Sequence, residues 1–172
     1  GAGYVAVTAG DYHSCAIDSA SALTCWGWAD AARTSPPEGL GYTALSAGGA
    51  HTCALNTVGE ILCWGSDAYG QISGTPPESG YTAVSAGQLH TCAVAASGDI
   101  TCWGIDDGSG TDFGPVTDAP EGTGYSAVTA GGHHACALDS SDAVACWGWD
   151  LYGQASGAPA GSFSDVNGGL FH

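Results

Sequence analysis

The sequence predicts an all-β repeat protein made of β-propeller-type blades, with one unit in about 40 residues. Three observations predict it. The segments GYVAVTAGDYHSCAI, GYTALSAGGAHTCAL, GYTAVSAGQLHTCAV and GYSAVTAGGHHACAL align without gaps from Gly3, Gly41, Gly80 and Gly124, at spacings of 38, 39 and 44 residues. A fixed period of this size marks stacked supersecondary units, and it is the period of a propeller blade. Each copy also holds short alternating apolar runs bounded by turn residues, and no segment sustains a helical period. Finally, each copy carries two cysteines ten positions apart, with Trp-Gly directly after the second.

The repeats divide the chain at about 3–40, 41–79, 80–123 and 124–161, with a partial fifth copy at 162–172. That fifth copy, FSDVNGGLFH, starts at Phe163 and reaches the repeat histidine at His172. Residues 1–172 read as one repeat domain. The chain has no Met and opens on repeat sequence, so we expect it to be part of a longer propeller or array.

Within the second copy, YTALSAG (42–48) alternates as a strand should. HTCALN (51–56) and EILCWG (60–65) are two more strands with a turn between them. The stretch SDAYGQISGTPPESG is rich in Gly, Ser and Pro and reads as loop with room for one edge strand. The linkers SPPEGLG, TPPESG, APEGTG and SGAPAG carry proline and suit stiff, extended spacers between units.

The cysteine spacing follows from the hairpin. With Cys53 opposite Cys63, Leu55 faces Ile61 and Asn56 faces Glu60, leaving the loop Thr57-Val58-Gly59. A three-residue hairpin loop wants a left-handed residue at its last position, which Gly59 and Gly98 supply and where copies one and four place Ser21 and Asp142. Directly opposed residues of an antiparallel pair lie within disulfide reach. We therefore expect intra-hairpin disulfides Cys15–Cys25, Cys53–Cys63, Cys92–Cys102 and Cys136–Cys146. Each closes a short loop, worth about 2–3 kcal/mol in the chain-entropy model, and such bonds imply an oxidising compartment. Zinc sites space their cysteines two to four residues apart, unlike these pairs. A catalytic thiol would need one distinctive cysteine, and here all are equivalent by repeat.

The run LSAGGAHTCALNTVGEILCWGSDAYGQ (45–71), echoed by WGWDLYGQ (147–154), resembles the regulator of chromosome condensation repeat, in a secreted, disulfide-containing, bacterial-type form. The resemblance covers essentially the whole chain. It implies β-propeller blades, seven in a typical member. Copy one (WGWADAARTSPPEG) lacks the Tyr-Gly-Gln element, and copy three replaces it with WGIDDGSGTDFGP. The best-known member exchanges nucleotide on a small nuclear GTPase and binds chromatin. The expected disulfides and the acidity here point away from that role, and the family includes many interaction scaffolds.

Seventeen acidic residues against the single basic Arg33 give a formal charge of −16. That excludes nucleic acid, whose phosphates need Lys and Arg, and disfavours an anionic membrane surface. No apolar run approaches 18 residues, so no membrane insertion is expected. Cations, basic partners or a saline medium suit such a chain.

Candidate sites divide by repeat symmetry. His13, His51, His90, His134 and His172 share one repeat position, and Trp26, Trp64, Trp103 and Trp147 another. Recurrence in every unit favours structural roles: histidines hydrogen-bonded to backbone within or between blades, tryptophans packed in the core or at blade interfaces. His133 falls outside the pattern and reads as a surface residue. Trp28 and Trp149 occur only in the two Cys-Trp-Gly-Trp copies, as candidate ligand contacts able to stack on a sugar or a partner. The copy-three insertion holds Asp106, Asp107 and Asp112, a carboxylate cluster that admits calcium without matching an EF-hand loop.

No nucleophile elbow, phosphate loop or compact metal signature stands out, so no catalytic residue and no cofactor beyond calcium are expected. The expected function is a non-enzymatic extracellular or cell-surface scaffold binding a protein or glycan partner. The alternative is self-assembly as a structural subunit of an extracellular filament or coat, with a calcium-dependent adhesin module behind it.

Overall fold

A computed structural model describes residues 3–171; His172, the repeat histidine of the partial copy, lies outside the described residues. Twelve strands form four three-stranded sheets with no α-helix among the described residues. Blade 1 holds β1 (Tyr4–Ala9), β2 (His13–Asp18) and β3 (Leu23–Gly27). Blade 2 holds β4 (Tyr42–Ala47), β5 (His51–Asn56) and β6 (Ile61–Gly65). Blade 3 holds β7 (Tyr81–Ala86), β8 (His90–Ala95) and β9 (Ile100–Gly104). Blade 4 holds β10 (Tyr125–Ala130), β11 (His134–Asp139) and β12 (Val144–Gly148). Each is an antiparallel meander in chain order.

The hairpin register is the expected one. Cys53 lies opposite Cys63 and Leu55 opposite Ile61, with the same offsets in the other blades. All four cysteine pairs are disulfides, with Cα–Cα separations of 4.0–4.1 Å. The closing loop residue is left-handed in every copy: φ is +62° at Ser21, +80° at Gly59, +87° at Gly98 and +63° at Asp142. The polar stretch after β6 differs from expectation, since no edge strand forms there. The Asp67 carboxylate instead accepts the N–H groups of Ile72 and Ser73 and holds the segment as turns.

The apolar core lies between blades rather than within them. Cys15 and Ile17 of blade 1 pack against Tyr42, Ala54 and Trp64 of blade 2. Cys53, Leu55 and Ile61 of blade 2 meet Ala93 and Trp103 of blade 3. Cys92 of blade 3 meets Ala135, Ala137 and Trp147 of blade 4. Each blade thus offers one face carrying its disulfide and a second face carrying Tyr, Ala and Trp.

Polar bonds repeat at the same junctions. The N–H groups of Tyr42, Tyr81 and Tyr125 donate to Ser21, Gly59 and Gly98 of the preceding hairpin loop. Ala47, Ala86 and Ala130 N–H donate to the hydroxyls of Thr8, Ser46 and Ser85 one blade back. The partial copy repeats both bonds: Phe163 N–H reaches the Asp142 carbonyl and Gly168 N–H reaches Thr129 Oγ1, each at 2.9 Å. Residues 163–169 therefore lie against blade 4 where the first strand of a following blade would lie.

Candidate functional site

The repeat histidines His13, His51, His90 and His134 are buried at the blade junctions, between 0 and 3% exposed. The ring bonds of His13 and His51 cross to the next blade, to a side chain rather than to the expected backbone: His13 Nε2 meets Thr52 Oγ1 at 2.6 Å and His51 Nε2 meets Thr91 Oγ1 at 2.7 Å. The motif Ala-Gly-x-x-His has a steric reason. A Cβ on Gly48 would overlap the Gly87 carbonyl oxygen and lie 2.7 Å from His51 Cε1. His90 differs from His13 and His51. Blade 4 places Ala135 where Thr52 and Thr91 stand in blades 2 and 3, and His90 Nε2 and Nδ1 are buried without a partner. The His134 backbone lies near that ring without meeting hydrogen-bond geometry.

Burial lowers the proton affinity of His13, His51 and His90. It pushes His51 down to about 4, helped by His13 and opposed by Asp67. It pushes His90 down to about 3, helped by His51 and other histidines. His13 is lowered by burial first and by Arg33 next, with Asp11 opposing. Uncharged, enclosed imidazoles are joints between blades rather than a lining for an open channel.

The repeat tryptophans serve the same junctions. Trp64, Trp103 and Trp147 are 5–6% exposed, and their indole N–H groups donate to the carbonyls of Arg33, Gln71 and Pro115 in the preceding unit. Arg33 occupies in copy one the place of Gln71 in Tyr-Gly-Gln. Pro115 restores that carbonyl after the copy-three insertion. Trp26, on the uncovered face of blade 1, is 49% exposed.

Symmetry breaks at one end of the blades. The residue after Trp-Gly bonds back to the residue before the repeat histidine: Trp28 to Tyr12, Ser66 to Ala50, Ile105 to Leu89 and Trp149 to His133. The side chains match in kind within each pair, aromatic in blades 1 and 4, small in blade 2, aliphatic in blade 3. This matching explains why Cys-Trp-Gly-Trp occurs twice, and the aromatic residues at positions 12 and 133 were its signal in the sequence.

In blade 1, Tyr12 and Trp28 meet edge to face at 5.2 Å and are 58% and 55% exposed. The buried Arg33 guanidinium sits 5.1 Å from the Trp28 ring centroid, with its Nε donating to the Ala50 carbonyl. In blade 4 the cluster is larger. Phe113, His133, Tyr152 and Phe171 all lie within 6 Å of the Trp149 ring, between 5.3 and 5.9 Å. His133 is half-buried under Phe113, which corrects its reading as a plain surface residue; burial lowers its affinity for a proton. Tyr152 and Phe171 remain 71% and 52% exposed.

The insertion places its acids differently from a calcium loop. Asp107 accepts from Ser109 N–H, and the two oxygens of Asp112 accept from the N–H groups of Gly108 and Gly114. Asp106, Asp107 and Asp112 do not gather around a common point, and no group of three His, Cys, Asp or Glu among the described residues is placed to hold a metal ion. The Asp107 and Asp112 carboxylates cap the loop's own backbone. The insertion adds exposed residues 106–111 to the surface, and Phe113 after it stands at the repeat position of Tyr69 and Tyr152.

Comparison with known proteins agrees with this geometry. The regulator of chromosome condensation (RCC1) repeat matches residues 42–71, 81–110 and 125–154, more than half of the chain. No curated protein matches it by sequence. Among solved structures it is similar to the ectodomain of the Arabidopsis thaliana receptor kinase ACR4, with 28% identity and a TM-score of 0.75 over 98% of this chain and 58% of that one. The ectodomain of the Physcomitrella patens receptor kinase CR4 shares its fold at 24% identity and a TM-score of 0.74, covering 97% of this chain and 45% of that one. Prp20p of Saccharomyces cerevisiae does so at 16% identity and a TM-score of 0.74, covering 94% and 49%. The chain spans about half the length of these structures. With three of its four blades matched in register and its blades superposing on solved propellers, the chain belongs to the regulator of chromosome condensation repeat family.

Proposed function

We propose that this chain is a non-enzymatic scaffold, working outside the cell or at its surface, that binds a partner protein through the aromatic ends of blades 1 and 4. The observation that carries this reading is the departure from repeat symmetry. The junction residues recur blade after blade, while the aromatic groupings of Tyr12 with Trp28 and of Trp149 with Tyr152 and Phe171 form at blades 1 and 4; Tyr69, the blade 2 counterpart of Tyr152, is exposed as well. Amphipathic aromatic rings on a rigid support are what binding surfaces enrich. A net charge of −16, whose single basic side chain is buried under Trp28, selects for a partner with cationic groups near those rings.

The extracellular placement is supported by a disulfide in every blade, a chemistry maintained in oxidising compartments. It is supported also by likeness to two receptor-kinase ectodomains. Prp20p binds Gsp1p and histones, which makes a protein partner the first choice and a glycan stacked on Trp28 the second.

The test is to probe arrays of extracellular proteins and glycans with the full chain and with Trp28→Ala and Tyr152→Ala variants. Both side chains are more than half exposed, so the melting temperature should stay unchanged while binding to the partner falls tenfold or more, about the weight of an interface hot spot. Identical binding by wild type and both variants would overturn the assignment of this surface.

A further inference from the structure

A cavity of about 350 Å³ lies along the outer edge of blade 2. It is lined by β6, from Ile61 to Trp64, and by the linkers on either side of the blade. Ser35 and Pro37 come from the linker before blade 2, Ile72 and Thr75 from the linker after it. β6 is the last strand of its sheet and pairs with β5. The register of that pairing decides where its backbone groups point. Cys53 and Cys63 face each other at a Cα–Cα distance of 4.1 Å, the close spacing of a non-hydrogen-bonded pair. The residues between carry the bonds, and in the same alternation the Ser66 N–H donates to the Ala50 carbonyl. The N–H and C=O groups of Ile61, Cys63 and Gly65 therefore point outward, away from β5.

Two further observations point to an occupant. The Thr75 hydroxyl, in a residue that lines this cavity, is buried without a partner. It also departs from the repeat, because the linkers after blades 3 and 4 carry Ala119 and Ala158 before the corresponding proline. An enclosed hydroxyl beside an unpaired strand edge is a polar group left for an incoming strand to satisfy. The surroundings are acidic as well. Glu60 directly precedes β6 and Glu38 directly follows Pro37, both exposed, while the chain's single Arg pairs elsewhere, with Asp30.

We propose that this cavity receives an extended, basic-flanked peptide segment of a partner protein, which adds to β6 as a fourth strand of blade 2. Main-chain bonds to Ile61, Cys63 and Gly65 hold the segment. The Thr75 hydroxyl gains its missing partner, and Lys or Arg at the ends of the segment meet Glu38 and Glu60. The blade's own linker leaves this edge open, because Asp67 folds it as turns. The surface shares no residue with the aromatic groupings assigned to partner binding, and either assignment can fail alone.

The probe is a synthetic peptide of alternating Val and Thr flanked by Lys, added to the full chain. Pairing through the main chain tolerates many sequences, so a generic strand suffices. Saturable binding is expected, with hydrogen exchange slowed at the Ile61, Cys63 and Gly65 amides. Their blade 3 counterparts Ile100, Cys102 and Gly104 should keep their own rates. The same peptide with Glu in place of Lys should bind about tenfold more weakly or worse. Thr75→Val removes the hydroxyl at nearly constant shape, so the free chain should melt higher while peptide affinity falls severalfold. Absence of binding at millimolar peptide, equal binding by the Glu-flanked peptide, undiminished binding to Thr75→Val, or equal slowing in blade 3 would each overturn the proposal. The peptide substitution leaves the protein's own folding untouched, so the test stays decisive.

Discussion

Ala135 interrupts a ladder that runs through the neighbouring junctions. His13 and His51 each meet a threonine hydroxyl, while His90, whose following blade has Ala135 at the threonine position, has no partner. A buried polar atom without a partner costs about 1–3 kcal/mol. Ala135→Thr should therefore stabilise the chain by about 1 kcal/mol, and Thr91→Ala, which strips His51 of its partner, should cost at least that much. Urea unfolding of the two variants checks both signs, and a destabilised Ala135→Thr would contradict the ladder. The same rings set a pH dependence. His51 and His90 stay neutral in the fold down to about 4 and about 3, whereas the unfolded chain takes up protons near 6.5. Their contribution is complete above about pH 6.5 and declines as pH falls towards 4, by about 1.4 kcal/mol per pH unit for each ring held fully neutral. Asp67, Asp139 and Asp150 are held below the usual carboxylate range by hydrogen bonds, chiefly from Ser73, Ser141 and Ser156 respectively. Their losses come below the histidine window, so unfolding measured from pH 7 to 5 isolates the histidines. A flat profile there would contradict neutral burial.

The hairpin is the element at which sequence and structure agree most closely. Cysteine spacing, loop length and the left-handed last position are all local, and together they fix one register. Ser21 and Asp142 take the positive φ that the loop demands, although neither is glycine. The junction elements were less legible. That histidine would bond threonine forward, and that tryptophan would bond a carbonyl backward, are contacts 40 and 32 residues apart in sequence. Repeat symmetry flags such residues as structural without naming their partners. The aromatic pairs were half legible: Trp28 and Trp149 stand out by occurring twice, but Tyr12 and His133 acquire meaning only once the cross-strand bond is seen. The placement of the insertion's acids was illegible for a related reason. Acidic composition was visible, but the use of Asp107 and Asp112 by neighbouring N–H groups depends on loop geometry. Burial also ranks the disulfides. Cys15, Cys53 and Cys92 are fully covered by the following blade, whereas Cys136 is 7% exposed and lines an open cavity. Limiting reductant followed by alkylation and peptide mapping should find Cys136–Cys146 opened first. Earlier opening of one of the covered pairs would contradict the packing order.

At the scale of the molecule, stability is distributed over junctions rather than held in one centre. Each blade is too thin to bury its faces alone, and the apolar clusters form only where two blades meet. The disulfides stiffen the units that make those meetings, which suits a surface exposed to an oxidising medium. The proposed function draws on what the repeat does not need, the aromatic groupings at blades 1 and 4. The measurement that tests the central claim most directly is cystine mapping of the native protein, isolated from its source under thiol-blocking conditions. The account predicts no free thiol and the four pairs Cys15–Cys25, Cys53–Cys63, Cys92–Cys102 and Cys136–Cys146. Free thiols in the native protein, or cystines joining different hairpins, would contradict both the blade register and an extracellular working life.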